Sequence, residues 1–410
     1  MKEMRVVRGM RDLLPEQASI REKILEVCKH AFESYGFEPL ETPIVEEFDL
    51  LAKKGTGGEA IKNEIYYFKD KGNRELGLRF DLTVPLARVV ANNPQLTKPF
   101  KRYAAGKVYR YDRPQAKRYR EFTQADLDIV GSKSVVCEYE CIAVIVKVMK
   151  ELEIDFYIKI NDRVLLEELA QDAGVKKDKI VDCLRSLDKL DKIGEVGVKK
   201  ELKEKGIPTG IVEKLGGDFE DYRNNEGAAQ LRELLSLLKE NKLDSYVKVD
   251  LSLARGLEYY TGIVFELGVK EGPSIGGGGR YDKLVGTYGK EDIPATGFSF
   301  GIDRIIDLLE EKIVYKPKTM LFIANIGNTQ KEAIMLAEEA RASGVNTETD
   351  LMNRGISKNL AYADKKGIPF VVVLGENEVK SGKVKVKNMK SGNEKEVSLK
   401  NFGKEIKDLS

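Results

Sequence analysis

Apolar residues recur at helical spacing in SIREKILEVCKHAFESYG, where Ile24, Cys28, Ala31 and Tyr35 share one stripe, so a helix is predicted over residues 21–35. Gly36 ends it and leads into an extended stretch, FEPLETPIV, containing Pro43. The period then changes. ELGLRFDLTV, FKRYAAGKVYRYD and REFTQADLDIVG alternate every two positions and carry aromatics, which predicts strands, while residues 134–152 return to helical spacing. From about Asn161 to Lys242 the pattern is helical and polar, broken at GIPTG and GGDF, before strand signals resume in YVKVDLSLARGLEYYTGIVFELG. This reads as a helical insertion interrupting a largely antiparallel sheet. Past Tyr315-Lys316-Pro317-Lys318, the segments TMLFIANIG, TQKEAIMLAEEARASG, ISKNLAYADKKG, IPFVVVLG and KVKVKN mix strand and helix. They predict a separate α/β domain of about 90 residues. Thr329 and Glu332 have the spacing of a capping box for its first helix.

A chain of 410 residues can bury the cores of two or three domains. With 69 Lys and Arg against 67 Asp and Glu, a net charge of +2 leaves any nucleic acid to be held by local basic patches. Cys28, Cys137, Cys141 and Cys183 form no CxxC pair and read as free thiols in a reducing compartment. There is neither an apolar run of membrane-spanning length nor a charged-then-apolar leader, so the expected location is the cytoplasm. The single histidine, His30, excludes Ser-His-Asp triads and Cys-His dyads, and it lies about 200° round the helix from Cys28, on the side expected to face water. The 33% charged content without Trp resembles heat-adapted proteins.

Five cations, Arg110, Arg113, Lys117, Arg118 and Arg120, crowd one loop. Arginine forks suit phosphate oxygens, while a solvated charged loop is the alternative. Before that loop, Gly106, Val108 and Arg110 share a strand face, so small residues would leave space beside Arg110. After it, Gln124, Asp126 and Asp128 line one face. A buried strand seldom gives a whole face to acids and amides unless a polar ligand or water lies there. Asp81 and Thr83 in LRFDLTVP repeat the arrangement, and together these groups could receive an ammonium. In SLARGLEYYTG, Arg255 and Tyr259 share parity and Tyr260 does not, so either one tyrosine faces the core or a bulge at Gly256 turns the strand. In IGGGGRYD the glycine run lets backbone approach a ligand, with neither a Rossmann nor a P-loop context. ATGFSFGIDRI is a strand turning into a helix whose first turn carries Arg304, suited to a polyphosphate tail.

Together these segments resemble the class II aminoacyl-tRNA synthetases, and in detail the histidyl type. YGFEPLETPIVE is similar to motif 1, VYRYDRPQAKRYREFTQADLDIVG to motif 2 and GFSFGIDRI to motif 3. ARGLEYY and GGGGRYD resemble the two histidine-specific signatures of that family, so the likeness spans nearly the whole chain. The resemblance implies an α+β fold: an antiparallel active-site sheet with helices over residues 1–160 and 243–315, a helical insertion at 161–242 over the acceptor arm, and an α/β anticodon-binding domain at 318–410. It also implies a homodimer and four site assignments. Arg110 and Arg255 would be catalytic. Arg110, Arg118, Arg255 and Arg304 would bind ATP, with Arg110 and Arg255 at the α-phosphate and Arg304 at the γ-phosphate. Asp81, Thr83 and Gln124 would take the histidine ammonium. Asp128 and Tyr260 would read the imidazole, with Tyr259 walling the pocket. Asp stands at positions 81 and 128 where the family often has Glu.

The expected reaction is in-line attack of the histidine carboxylate on the α-phosphorus of ATP, followed by transfer to tRNA(His). Mg²⁺ is expected with the ATP phosphates, and no carboxylate cluster marks a protein-held metal or zinc. The rival readings are a histidine-sensing regulatory paralogue and a non-catalytic tRNA-sensing module. The anticodon-type domain and ARGLEYY weigh against the first, and Arg110, Arg255 and Arg304 against the second.

Overall fold

In the computed structural model, which describes residues 4–53, 63–111, 119–254, 259–270, 272–310 and 316–408, the first amphipathic stretch forms the helix Pro15–Ser34. Pro15 opens it, where the missing N–H has no intrahelical partner to lose. Ile24, Cys28 and Ala31 are buried as the stripe predicts, and His30 is exposed.

That helix covers one face of an eight-stranded sheet in the order Glu38–Pro39, Phe100–Tyr109, Glu121–Val130, Ala295–Gly301, Gly276–Arg280, Ile263–Gly268, Tyr157–Asp162 and Val247–Val249, counted among the described residues. The two outer pairs are parallel and every inner pair is antiparallel. Period-2 alternation divides the sheet. Tyr103, Ala125, Leu127 and Phe300 take the face packed by the helix, where the Phe32 ring lies 5.6 Å from Tyr103 and 6.1 Å from Phe300. Arg102, Ala104, Gly106, Gln124, Asp126, Asp128 and Ser299 take the other. A smaller antiparallel sheet, Val45–Glu47, Glu75–Leu78 and Tyr67–Lys69, stands beside it.

Two strand expectations fail. ELGLRFDLTV is a strand only over Glu75–Leu78, and Thr83 opens the helix Thr83–Asn92, because Asp81 Oδ1 accepts the N–H of Val84 at 3.0 Å and starts a turn there. The stretch YVKVDLSLARGLEYYTGIVFELG is likewise two strands, Val247–Val249 and Ile263–Gly268. Between sheet strands, residues 163–242 are helical, from Arg163–Asp172 to Ala229–Glu240, with a left-handed Gly194 (φ 67°) inside Leu190–Glu204.

Contacts divide the chain into two compact units, Met1–Lys312 and Ile313–Ser410. The second has a mixed five-stranded sheet, Thr347–Thr349, Leu321–Asn325, Phe370–Leu374, Lys383–Asn388 and Glu394–Ser398, parallel over the first three strands and antiparallel beyond. Helices Gln330–Ala342 and Phe402–Lys407 bury Leu336, Ala337, Phe402 and Ile406 against Ile323 and Val372. Ile356–Lys366 buries Ala363 beside Phe322. The expected capping box is absent: the Thr329 hydroxyl donates to the carbonyls of Ile326 and Leu374 instead of accepting from the helix. No helix among the described residues is long and apolar enough to cross a membrane.

Candidate active site

The polar face of the large sheet floors a cavity of about 560 Å³. Asp81, Thr83, Arg110, Gln124, Asp128, Tyr259, Tyr260 and Arg304 all line it, so residues far apart in sequence converge on one site. Arg118 and Arg255, with the basic-loop residues Arg113 and Lys117, lie outside the described residues.

The floor is built by register. Gln124 stands between Gly106 and Gly301, Asp126 between Ala104 and Ser299, and Asp128 between Arg102 and Gly297. Asp128 is the most tightly held. The Tyr281 hydroxyl donates to its Oδ1, and Arg102 Nη2 lies 2.6 Å from its Oδ2 as an ion pair without hydrogen-bond geometry. Burial pushes Asp128 above the ordinary carboxylate range, while Arg102 and Tyr281 pull it back. Gln124 Nε2 donates to Ser299 Oγ at 2.8 Å. Gln124 Oε1, Asp126 Oδ1 and Arg102 Nε and Nη1 are buried without a protein partner. Several orphaned polar atoms on one floor are what a site for a polar ligand leaves behind. Burial also lifts Asp81 to about 6, against the Val84 N–H and the charge of Arg110.

One wall is aromatic. Tyr259 and Tyr260 both line the cavity, with ring centroids 4.6 Å apart and a 3.5 Å contact between their hydroxyls, and Tyr281 meets Tyr259 edge-on at 6.1 Å. Tyr259 and Tyr260 precede the strand Ile263–Gly268, while Arg255 and Gly256, on which the parity question turned, lie outside the described residues.

At the cationic end, Arg110 lies past its strand, donating Nε to the carbonyl of Phe80 at 3.1 Å with its guanidinium over Phe122. The space expected beside it at Gly106 belongs to another arginine: a Cβ there would overlap Arg79, which donates to the carbonyls of Lys107 and Thr42. The glycine run corrects likewise. It is the strand Gly276–Arg280, and side chains at Gly276 or Gly278 would overlap the rings of Phe298 and Phe265. Packing between strands requires these glycines, and their backbone also lines the cavity.

Arg304 occupies the first turn of Ile302–Leu309 and donates to the carbonyl of Ser274. The preceding Asp303 brackets the site, accepting the Thr123 N–H at 2.6 Å on Oδ2 and Arg11 Nη2 at 2.9 Å on Oδ1. Arg11 also stacks on Tyr119, 4.0 Å from the ring centroid.

Beyond this geometry, the family model described as histidyl-tRNA synthetase matches residues 9–305, and the one described as an anticodon binding domain matches residues 320–409. The chain belongs to the histidyl-tRNA synthetase family. It is 37% identical to histidine–tRNA ligase 1 of Bacillus cereus over 98% of this chain and all of that one. It is 40% identical to histidine–tRNA ligase 2 of Shouchella clausii, over 95% and 97% of the two chains. The crystal structure of histidyl-tRNA synthetase from Nostoc superposes over the full length of both chains with a TM-score of 0.87 at 30% identity, and the Staphylococcus aureus apo enzyme with 0.78 at 25%, over 99% of this chain and all of that one. For a histidyl-tRNA synthetase family member, Arg102, Tyr281 and Ser299 are the site residues that sequence reasoning missed. Their signal was present as cross-strand partners or neighbours of QADLD, but register is visible only once the strands are paired.

Proposed function

We propose that this chain activates L-histidine with ATP to histidyl-adenylate, releases pyrophosphate, and transfers the histidyl group to the 3′ end of tRNA(His). The observation that carries it is a single cavity in which a carboxylate and amide floor meets Arg110 and Arg304, in a chain whose family model spans that floor.

The histidine carboxylate attacks the α-phosphorus in line, and pyrophosphate leaves with the electron pair of the broken P–O bond. The protein's task is positioning and charge stabilisation, which arginines perform without a proton relay. Asp81, Thr83 and Gln124 take the ammonium, Asp128 and Tyr260 the imidazole edge, and Tyr259 packs beside the ring. Arg110 holds the α-phosphate and Arg304 the γ-phosphate, with Arg118 and Arg255 added on the resemblance of their motifs. Mg²⁺ enters with the ATP phosphates as part of the substrate; among the described residues no group of His, Cys, Asp or Glu is arranged to hold a metal. Residues 1–160 with 243–315 activate histidine, 161–242 cover the acceptor arm, and 318–410 read the anticodon. The working unit is a homodimer in the cytoplasm.

The test is ATP–pyrophosphate exchange with each of the twenty amino acids. Exchange with histidine alone is expected, and exchange with none, beside a protein that still binds histidine, would favour a sensor.

A further inference from the structure

Asp126 lies on the cavity floor between Gln124 and Asp128, both of which have substrate roles above, and has none itself. Asp126 is 2% exposed, and the three side chains share a face because the strand Glu121–Val130 alternates.

The neighbouring carboxylate is compensated in charge: Asp128 Oδ1 accepts from the Tyr281 hydroxyl, and its Oδ2 is ion-paired with Arg102 without a hydrogen bond. Asp126 is only half engaged: the Ser299 hydroxyl donates to it, while Oδ1 is buried with no partner. Ser299 Oγ in turn accepts from Gln124 Nε2, and this leaves Gln124 Oε1 bare as well. One serine therefore joins two cavity-lining side chains that each keep a buried acceptor without a protein partner. Ala104 and Ser299, both small, flank Asp126 across the strands, and Asp126 lines the cavity.

A group that satisfies two adjacent acceptors must carry several donors, and an ammonium carries three. We propose that Asp126 is the counter-ion for the α-ammonium of histidine, completing the set formed by Asp81, Thr83 and Gln124; this rests on the histidine-activating reading above. The ammonium occupies the Gln124 end of the floor and the imidazole the end held by Asp128 and Tyr281. The charged groups facing Asp126 are Arg102 from the adjacent strand, Asp128 from its own, and Asp81 and Arg79 from the segment before the helix Thr83–Asn92. Burial, with Asp128 and Asp81 nearby and Arg102 opposing, raises its carboxyl to about 7. An arriving cation supplies the charge that holds it ionised.

The test uses the full chain with Asp126→Asn, which preserves shape, and two ligands that differ only in the ammonium. KM for histidine is measured by pyrophosphate exchange, and the inhibition constant of 3-(imidazol-4-yl)propionate in the same assay. The expected result is a KM for histidine raised about tenfold or more, as for loss of one hydrogen bond to a charged group, with the deamino inhibitor unchanged. Parallel weakening of both ligands overturns the proposal, since it would place Asp126 at the imidazole or in the scaffold. An unchanged KM overturns it too, and leaves the activation reading standing. If the unaltered chain shows no histidine-dependent exchange, both readings fall.

Discussion

The guanidinium of Arg102 lies 2.6 Å from Oδ2 of Asp128, with the two side chains 1% and 3% exposed. Removing one member of such a pair leaves a buried charge uncompensated. Arg102→Met is expected to lower unfolding free energy by about 3–5 kcal/mol, and Asp128→Asn on that background to recover part of it. Chemical denaturation of the two variants checks this. A loss below about 1 kcal/mol for the single variant would mean that Asp128 is not held as a charge.

Asp162 provides a pH signature away from the cavity. Its Oδ1 accepts the Val164 N–H at 2.8 Å and so caps the helix Arg163–Asp172, while its Oδ2 is buried without a partner. Burial raises it to about 7, against that N–H. A carboxyl raised in the fold contributes stability fully present below its unfolded value of about 4, and this is lost as pH rises towards 7. The advantage of Asp162 over Asp162→Asn should therefore shrink across that window by about 1–4 kcal/mol and then level. Urea unfolding of both proteins at pH 5 and pH 8 measures it, and a difference independent of pH contradicts the assignment.

Arg11 braces, from outside, the end of the cavity proposed above for ATP. It pairs with Asp303 at 2.9 Å and Asp307 at 3.3 Å and donates to the Tyr119 hydroxyl at 2.7 Å. Asp303 precedes Arg304 and holds the Thr123 N–H, so losing Arg11 should loosen the helix that aims Arg304. Arg11→Ala is expected to raise KM for ATP roughly tenfold with a smaller change in kcat, and Arg11→Lys to recover only part, because a point charge cannot fork across two carboxylates. Pyrophosphate exchange at varied ATP, beside melting temperature, decides between roles. An unchanged KM with a lowered Tm would make Arg11 structural.

Local pattern determined much of this protein. Stripes and two-residue alternation were enough for the helix Pro15–Ser34, for the strands Phe100–Tyr109 and Glu121–Val130, for the helical 163–242 and, in the second unit, for Leu321–Asn325, Gln330–Ala342, Ile356–Lys366, Phe370–Leu374 and Lys383–Asn388, because burying one face imposes a period that the chain must carry. The same alternation put Gln124, Asp126 and Asp128 on one face, and motif resemblance gathered Asp81, Thr83, Arg110, Tyr259, Tyr260 and Arg304, all of which line the cavity. Tertiary structure decided what no local pattern encodes. Thr83 opens a helix because Asp81 folds back onto Val84, and Thr329 turns to two carbonyls because Leu374 lies within reach. The glycines at 106, 276 and 278 yield their space to Arg79, Phe298 and Phe265. Arg102 and Ser299 enter the site because their strands pair with Glu121–Val130 in one particular register, and Tyr281 because it directly follows the strand Gly276–Arg280 in the same sheet. Strand pairing joins residues separated by long stretches of chain, so which side chain engages a carboxylate, and which carboxylate keeps a bare oxygen, is settled only when the sheet closes.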